Sequence, residues 1–300
     1  MKIIITGSHG FIAKAILPTL ENKGHNIFKL VRSATNLKPD ERFWDPYRRE
    51  LDPHTVEGVD AVIHLAGESI AEGRWTPTKK QRIIDTRTIP TRFLAETLAA
   101  SARPPKVFVC ASAIGYYGDR GEELLTEESS PGTDFLANVC REWEVATVPA
   151  AVKGIRIVNL RFGLILSPSG GALAKLLLPF KFGVGGRLGS GKQYWSWIAI
   201  DDVIGAIHHA LMNENVRGPV NIVAPHPVTN NEFTKILGGV LSRPTMFPAP
   251  SFALRLALGE MADALLLSSA NIKPNRLIST GYTFRFTQLN DALTALLSQS

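Results

Sequence analysis

Cysteine, long apolar runs and clustered charge are all scarce in this sequence. The chain of 300 residues has two cysteines, Cys110 and Cys140, without ligand-like pairing, so neither a disulfide framework nor a zinc site is predicted. No segment approaches the roughly 20 apolar residues of a membrane span, and the opening MKIIITG has no charged leader followed by an apolar segment. These absences favour a cytoplasmic protein that binds no membrane.

Basic residues are spread along the chain although the formal net charge is +6. Doublets occur only at Arg48–Arg49 and Lys79–Lys80. A nucleic-acid-binding surface usually shows clustering or a recognisable motif, so no nucleic-acid partner is predicted. An apolar content of 45% is enough for a sizeable core and argues against disorder.

Short apolar runs alternate with amphipathic segments through the first half of the chain. The predicted strands are Lys2–Thr6, His25–Val31, Asp60–Leu65, Lys106–Ser112 and Ile155–Arg161, and the predicted helices are Phe11–Lys23, Thr78–Ala102 and Phe135–Ala151. Strands that are apolar throughout and separated by helices predict a parallel sheet covered on both faces. The expected fold is therefore α/β, a doubly wound Rossmann sheet.

The rhythm changes after Arg161. A glycine-rich stretch leads into an extended segment at Trp195–Ile200, a helix at Asp201–Met212 and a strand at Val220–Val223, and short helices broken by proline and glycine follow. We expect a Rossmann domain at 1–165 that residues 195–224 rejoin. Residues 166–194 and 225–300 are expected to form a smaller, mostly helical C-terminal lobe on the substrate side.

The first strand runs directly into a glycine turn. Gly7 permits the turn, Gly10 lets the backbone approach a pyrophosphate, and the small Ala13 lets the helix pack closely on the strand. The N-terminus of the helix offers free N–H groups to phosphates. The predicted nucleotide-binding residues here are Gly7, Ser8, His9, Gly10, Phe11 and Ile12.

The second strand ends at Arg32, about twenty residues beyond the glycines, where NAD enzymes carry an acid for the ribose hydroxyls. Arginine accepts no hydrogen bond, but it donates two to a 2′-phosphate. The sequence therefore predicts NADP(H), against the alternative of a solvated arginine at a strand end.

Another apolar strand ends in small residues, at Leu65, Ala66 and Gly67, followed by Glu68. These four residues are expected to line the nucleotide. His64 lies inside the apolar run and is predicted to be a packed core histidine.

Motifs along the whole chain resemble one branch of the extended, atypical short-chain dehydrogenase/reductase superfamily, the epimerase-like family also labelled cell-division inhibitor or sugar-nucleotide epimerase-like. In chain order these are Leu65–Ile70 with Arg74–Trp75, Ser112–Gly118, Asp134–Ala137 with Trp143–Glu144, Gly170–Leu173, Gly185–Gly186 with Gly189–Gly191, Ser196–Ile198 with Asp201–Asp202, Ala224–Pro225, Arg243–Pro244 and Leu258–Glu260. The resemblance implies a Rossmann domain that binds NADP(H) and a C-terminal lobe that closes over a small-molecule substrate.

The resemblance also implies a catalytic Ser or Thr, a Tyr, and a Lys four residues after the Tyr. Ser112 fits the first position and is expected to polarise a substrate oxygen. Phe135 and Val139 stand where the Tyr and the Lys are expected, and no lysine occurs between Lys106 and Lys153. Both the usual proton donor and the cation that activates it are thus missing.

Tyr116 and Tyr117 are the candidate replacements for the missing proton donor. They follow the Ser112 strand, at the carboxyl end of the sheet, where substrates bind in such folds. Ordinary aromatic packing is the alternative for both, and Tyr117 is the preferred donor.

Further pocket candidates come from the same sheet edge and from the facing lobe: Arg74, Trp75, Arg87, Gln193, Trp195 and Trp197. The two tryptophans, spaced two apart on an extended segment, form either a wall for a ring or part of the core. The stretch Arg187–Lys192 either wraps an anionic group or is a mobile surface loop.

Three hypotheses follow for function. The first is an NADP(H)-dependent oxidoreductase or epimerase-like enzyme acting on an unidentified carbonyl or hydroxyl compound. The second is a non-catalytic NADP(H)-binding sensor or interaction protein, and the third is a sugar-nucleotide epimerase, which needs the missing Tyr and Lys. The sequence leaves the oligomeric state open, and the resemblance is compatible with a homodimer through Thr78–Ala102 and Phe135–Ala151.

Overall fold

A computed structural model describes residues 1–298 of the chain. Its strands are β1 (Lys2–Thr6), β2 (Asn26–Val31), β3 (Glu41–Asp45), β4 (Glu50–Leu51), β5 (Ala61–His64), β6 (Val107–Ala113), β7 (Leu124–Leu125), β8 (Arg156–Phe162), β9 (Leu164–Leu166), β10 (Tyr194–Trp195), β11 (Trp197–Ala199), β12 (Gly218–Ile222), β13 (Val228–Thr229) and β14 (Asn271–Ile272). Its α-helices are α1 (Phe11–Asn22), α2 (Pro77–Ala100), α3 (Phe135–Val145), α4 (Val148–Val152), α5 (Gly171–Lys181), α6 (Ile200–Met212), α7 (Asn230–Leu241), α8 (Ser251–Leu258), α9 (Glu260–Ala262), α10 (Asn275–Ser279) and α11 (Leu289–Leu297).

One eight-stranded sheet organises the molecule, in the order β12-β8-β6-β5-β1-β2-β3-β4. Every neighbouring pair is parallel except β3 and β4. Central strands such as β1, with Ile3, Ile4 and Ile5 fully buried, have helices on both faces, which explains their unbroken apolar sequences. The predicted doubly wound Rossmann fold is confirmed, and the strand at 218–222 rejoins the sheet beside β8.

The structure departs from the sequence prediction in three places. The helix predicted over Phe135–Ala151 divides into α3 and α4, because Pro149 has no N–H for a continuous helix. The strand predicted over Trp195–Ile200 divides at Ser196 into β10, which pairs with β13, and β11, which pairs with β9. Strands β3 and β4 were not predicted, because charged residues interrupt their apolar pattern.

The C-terminal part of the chain is mostly helical and has its own core. Residues of α5, α7, α11 and the Trp195–Trp197 segment pack together there, and a smaller cluster surrounds Tyr117. None of the helices within residues 1–298 is both long and apolar enough to cross a bilayer.

Candidate functional site

The glycine turn joins β1 to α1 at the centre of the sheet. Gly7 has a φ of +69°, and a Cβ atom there would lie 2.8 Å from the carbonyl carbon of Leu65, so no larger residue fits. The Gly10 amide donates to the Gly7 carbonyl over 2.8 Å, and α1 starts at Phe11 with no side-chain cap at its N-terminus. Free N–H groups at this helix end are suited to a phosphate.

Ser8 and His9 lie at the tip of the turn. The Ser8 side chain is buried, yet its Oγ has no hydrogen-bond partner within residues 1–298. A buried hydroxyl left unpaired costs about 1–3 kcal/mol, so a ligand oxygen at this position would relieve that cost. His9 is exposed. The unpaired Ser8 hydroxyl fits the phosphate site that the sequence predicts.

Phe11 and Ile12 form the first turn of α1 and are half-buried. The Phe11 ring lies against Gly170, where a Cβ atom would approach the ring to 2.8 Å. The start of α5 therefore packs directly on the start of α1. This contact brings the C-terminal part of the chain to the nucleotide end of the sheet.

Arg32 follows the last residue of β2, and β2 pairs with β1 so that Leu30 lies opposite Thr6. The guanidinium is exposed and makes no hydrogen bond or ion pair with any of residues 1–298. The structure thus brings an unpaired cation to the strand end next to the glycine turn. A 2′-phosphate on the nucleotide is the group that would pair with it.

The end of β5 lies on the other side of β1, where His64 is opposite Thr6. Leu65 and Ala66 are half-buried beside Gly7, and Gly67 is exposed. His64 itself is fully buried, with its Nδ1 2.7 Å from the Thr6 hydroxyl, and burial lowers its pKa to about 3. It is a core histidine, as its apolar neighbours predicted.

Glu68 forms ion pairs with two basic residues of α2. Its carboxylate accepts hydrogen bonds from Lys79 over 2.6 Å and from Arg82, and these bonds hold the pKa of the carboxyl below its usual range. Its backbone carbonyl accepts from Arg87 over 2.8 Å, and Arg87 is buried against Trp143. Glu68 and Arg87 therefore hold the segment after β5 against α2.

Arg74 and Trp75 lie further along the same segment. Arg74 donates to the carbonyls of Leu256 and Ala257 at the end of α8, and the Trp75 indole N–H donates to Ile70 over 2.8 Å. The Trp75 ring packs edge-on against Phe135, with ring centroids 5.4 Å apart.

Two lysines add further contacts that join the region of Ala71 and the start of α2 to the C-terminal part of the chain. Lys80 donates to Glu260 over 2.7 Å, and Lys175 donates to the Ala71 carbonyl over 3.2 Å. We refer to the contacts of Arg74, Lys80 and Lys175 as the loop–lobe contacts.

Ser112 lies at the end of β6 and is almost fully buried. Its hydroxyl donates to Oε1 of Glu144 on α3 over 2.7 Å. Arg161 on β8 donates two hydrogen bonds of 2.8 Å to the same carboxylate, one to each oxygen. This bidentate ion pair holds Glu144 in place, and in this conformation the Ser112 proton is directed at Glu144.

The two tyrosines have different environments. Tyr117 is fully buried, its hydroxyl donates to Asn221 over 2.6 Å and accepts from Arg161 over 2.9 Å, and burial raises its pKa to about 12. Tyr116 is half-buried, its hydroxyl has no hydrogen-bond partner within residues 1–298, and its ring lies 3.4 Å from the Arg161 guanidinium carbon. The structure favours packing for Tyr117 and leaves the Tyr116 hydroxyl free.

Apolar side chains, Phe135 and Val139, occupy the positions where the Tyr and the Lys are expected. Val139 is buried, and Phe135 lies beneath the Lys80 ammonium, 4.9 Å from the ring centroid. Lys80 comes from α2, so a cation does approach this site from a different helix. Sequence reasoning missed Glu144, Arg161 and Lys80 because they are distant from Ser112 in the chain.

The remaining pocket candidates are internal. Gln193 is buried and its amide donates to the carbonyls of Leu188 and Leu266. Trp195 packs on Phe233, and Trp197 is fully buried with its indole N–H donating to the His226 carbonyl over 2.9 Å. Of the two interpretations that the sequence left open for the tryptophans, the structure favours the core for Trp197, whereas the buried Trp195 also lines a cavity.

A parallel sheet with a glycine turn, an unpaired arginine after β2 and a serine at the end of β6 defines a nucleotide-binding protein of the short-chain dehydrogenase type. Residues 3–223 match a sequence model described as the NAD dependent epimerase/dehydratase family, and residues 249–296 match a domain of unknown function, DUF1731. The chain belongs to the NAD dependent epimerase/dehydratase family, as the resemblance predicted.

Relatives and a solved structure agree with this assignment. An epimerase family protein from Mycobacterium bovis, Mb2239, is 40% identical over 97% of this chain and 96% of its own length. A homologue of SDR39U1 from Arabidopsis thaliana, named as chloroplastic, is 38% identical over 99% and 87%. The crystal structure of human epimerase family protein SDR39U1 (isoform 2) with NADPH matches at 32% identity with a TM-score of 0.92 and covers all of both chains.

Proposed function

We propose that this chain binds NADP(H) and is an oxidoreductase for a hydroxyl or carbonyl group of a small molecule. The observation that carries the proposal is the pairing of Ser112 with Glu144, whose ion-pair partner Arg161 stacks on the ring of Tyr116. When bound, the nucleotide would exchange a hydride with the substrate carbon. The protein residues would bind the nucleotide, orient the substrate oxygen and exchange its proton.

Nucleotide binding rests on the residues around the glycine turn. Gly7 and Gly10 keep the turn narrow, Ser8 offers an unpaired buried hydroxyl, and Arg32 offers an unpaired cation. The NADPH in the related human structure supports the same choice of cofactor for this chain.

Ser112 would hold the substrate oxygen. Because its proton is directed at Glu144, its oxygen lone pairs are available to accept a hydrogen bond from a substrate hydroxyl. Polarising a carbonyl instead requires the serine proton to turn away from Glu144. The resting geometry therefore favours a substrate that binds as an alcohol.

Tyr116 would be the group that exchanges the proton. Its hydroxyl has no hydrogen-bond partner within residues 1–298, and the Arg161 guanidinium stacks on its ring, so a cation lies next to this tyrosine although Val139 occupies the position of the lysine. Tyr117 is the weaker candidate, since both of its hydrogen bonds are made inside the core.

A non-catalytic NADP(H)-binding protein is the second candidate function, favoured by the hydrocarbon at Phe135 and Val139. A sugar-nucleotide epimerase ranks third, because it needs the same proton donor and lysine. The proposal also includes a homodimer through α2, α3 and α4.

Two variants, Tyr116→Phe and Tyr117→Phe, test which of the two tyrosines exchanges the proton. A positioned acid contributes about 10²- to 10⁴-fold to a rate, so Tyr116→Phe is expected to lower kcat at least about 100-fold with NADPH affinity unchanged. Tyr117→Phe is expected to lower the free energy of unfolding by about 1–3 kcal/mol and to change kcat little, because the buried Asn221 Oδ1 atom loses the hydroxyl that donates to it and Arg161 loses one of its acceptors.

Turnover is screened by the absorbance of NADPH, which is consumed with carbonyl compounds and quinones and is formed from NADP⁺ with alcohols. Nucleotide affinity is measured by calorimetry. A substrate that Tyr116→Phe converts as fast as the unmodified protein would eliminate Tyr116. Tight NADPH binding without turnover of any compound would favour the non-catalytic function.

A further inference from the structure

A cavity of about 170 Å³ lies in the C-terminal part of the chain, away from the glycine turn. Helices α5 and α7 and the segment before α8 enclose it. Its walls are mainly apolar and include Leu176, Pro179, Phe180, Trp195, Phe233 and Phe247. Val184 and Phe247 are more than half exposed, so the cavity is open to solvent at that end.

Two buried polar side chains of α7 also line the cavity. Asn230 is 1% exposed and Thr234 is 3% exposed, and four residues separate them, so they share one helix face. The Asn230 Oδ1 atom accepts from the Leu188 amide over 2.7 Å, which fixes the orientation of the amide group. Its Nδ2 and the Thr234 hydroxyl have no hydrogen-bond partner within residues 1–298.

These observations define the chemistry of an occupant. The volume is close to the roughly 150 Å³ of an apolar protein cavity that takes up benzene. No charged residue is among those that line it, so phosphates and sugar nucleotides are unsuited to it. Waters alone would meet mostly hydrocarbon, whereas a ring would contact Phe180, Phe233 and Trp195.

We propose that this cavity is a binding site for a small neutral molecule with a six-membered ring and one hydroxyl or carbonyl group. The ring packs against the aromatic walls. Its oxygen bonds to the Asn230 amide nitrogen and the Thr234 hydroxyl, two groups that lack a hydrogen-bond partner within residues 1–298.

The site is separate from the proposed nucleotide site, and the inference does not depend on the proposed function. Helix α5 touches Phe11 through Gly170 and lines the cavity through Leu176 and Phe180. Six to ten residues of helix correspond to about 9–15 Å. The two sites are thus about two to three helical turns apart.

Calorimetric titration with p-cresol and with toluene tests the proposal on the full chain. We expect one saturable site for each. Thr234→Val keeps the side-chain shape and removes the hydroxyl, so it is expected to weaken p-cresol about fivefold, as a neutral hydrogen bond would, and to leave toluene unchanged. Ala249→Leu, at a residue lining the cavity, is expected to abolish binding of both.

Thermal unfolding of each variant without ligand checks that it folds, and a crystal soaked with p-cresol locates the ligand. Equal binding to Ala249→Leu, or no saturable binding of either probe, would overturn the proposal. It would also be overturned if the unmodified protein forms a dimer that Ala249→Leu dissociates, because the occupant would then be a second copy of the chain.

Discussion

Arg32 is the residue that we expect to decide between the two nucleotides, because it is exposed and unpaired beside the glycine turn. A charge-assisted hydrogen bond to a 2′-phosphate supplies at least the ~1.4 kcal/mol that corresponds to a tenfold preference for NADPH over NADH. Arg32→Ala is expected to remove most of this preference in calorimetric titrations.

Arg42 on the neighbouring β3 provides the matched control. Its guanidinium donates to the Pro39 and Glu41 carbonyls, so Arg42→Ala is expected to preserve the ratio of affinities. Equal affinity of the unmodified protein for the two nucleotides would refute the role of Arg32.

His64 makes stability depend on pH. Its folded pKa of about 3 lies below the usual value of 6.5, so as the pH falls below 6.5 the unfolded chain takes up a proton that the folded chain does not. As the pH is lowered from 6.5 towards 3, the free energy of unfolding therefore falls by up to about 1.4 kcal/mol per pH unit.

Urea unfolding at pH 7 and pH 5 measures this loss. His64→Gln retains a hydrogen-bonding group for Thr6 but does not titrate, so its stability is expected to fall about 2 kcal/mol less over this interval than that of the unmodified protein. His54→Gln, at an exposed position, is expected to match the unmodified protein. An identical loss in His64→Gln would show that the histidine does not stay neutral.

At the scale of elements, the loop–lobe contacts join the segment after β5 to α5 and α8, and they join the start of α2 to α9. The Lys80–Glu260 pair is partly exposed, and such pairs contribute about 0–1 kcal/mol. Glu260→Gln is expected to speed NADPH release about twofold to fivefold in stopped-flow fluorescence, because one restraint between α2 and the C-terminal part is lost. Asp263→Asn, which breaks the Arg255 pair within the lobe, is the control, and equal release rates for both variants would contradict the prediction.

The elements also show where sequence reasoning succeeds and where it stops. The nucleotide side was predictable because Gly7, Ser8 and Gly10 lie within four consecutive residues, and because the positions of β2 and β5 on either side of β1 follow the strand order of a Rossmann sheet. The pairing of Ser112, Glu144 and Arg161 was not, because β6, α3 and β8 bring together residues that share no local pattern. The switch of partners at Ser196 was equally hidden, since its hydroxyl bonds to the distant Ala270 and Ile272.

At the scale of the whole molecule, the proposed homodimer involves α2, α3 and α4, and α2 packs against both of the other helices. Ile89, Val145, Val148 and Val152 are exposed apolar residues there, and Val152 is 83% exposed. We expect a dimer through these residues, so Val152→Glu combined with Ile89→Glu should give a monomer in sedimentation velocity. Leu178→Glu, on α5, should leave the dimer intact, and a monomeric unmodified protein would exclude the interface.

The two outer strands of the sheet have a consequence for how copies of the chain can meet. At one edge β4 has only two residues, and at the other α10 packs against β12, where Arg276 donates to the Arg217 carbonyl over 2.7 Å. Neither edge presents a long row of free backbone groups that another strand could extend. Fibril-like extension of the sheet by edge-to-edge pairing of copies is therefore disfavoured, and we expect ordered association to use helical surfaces.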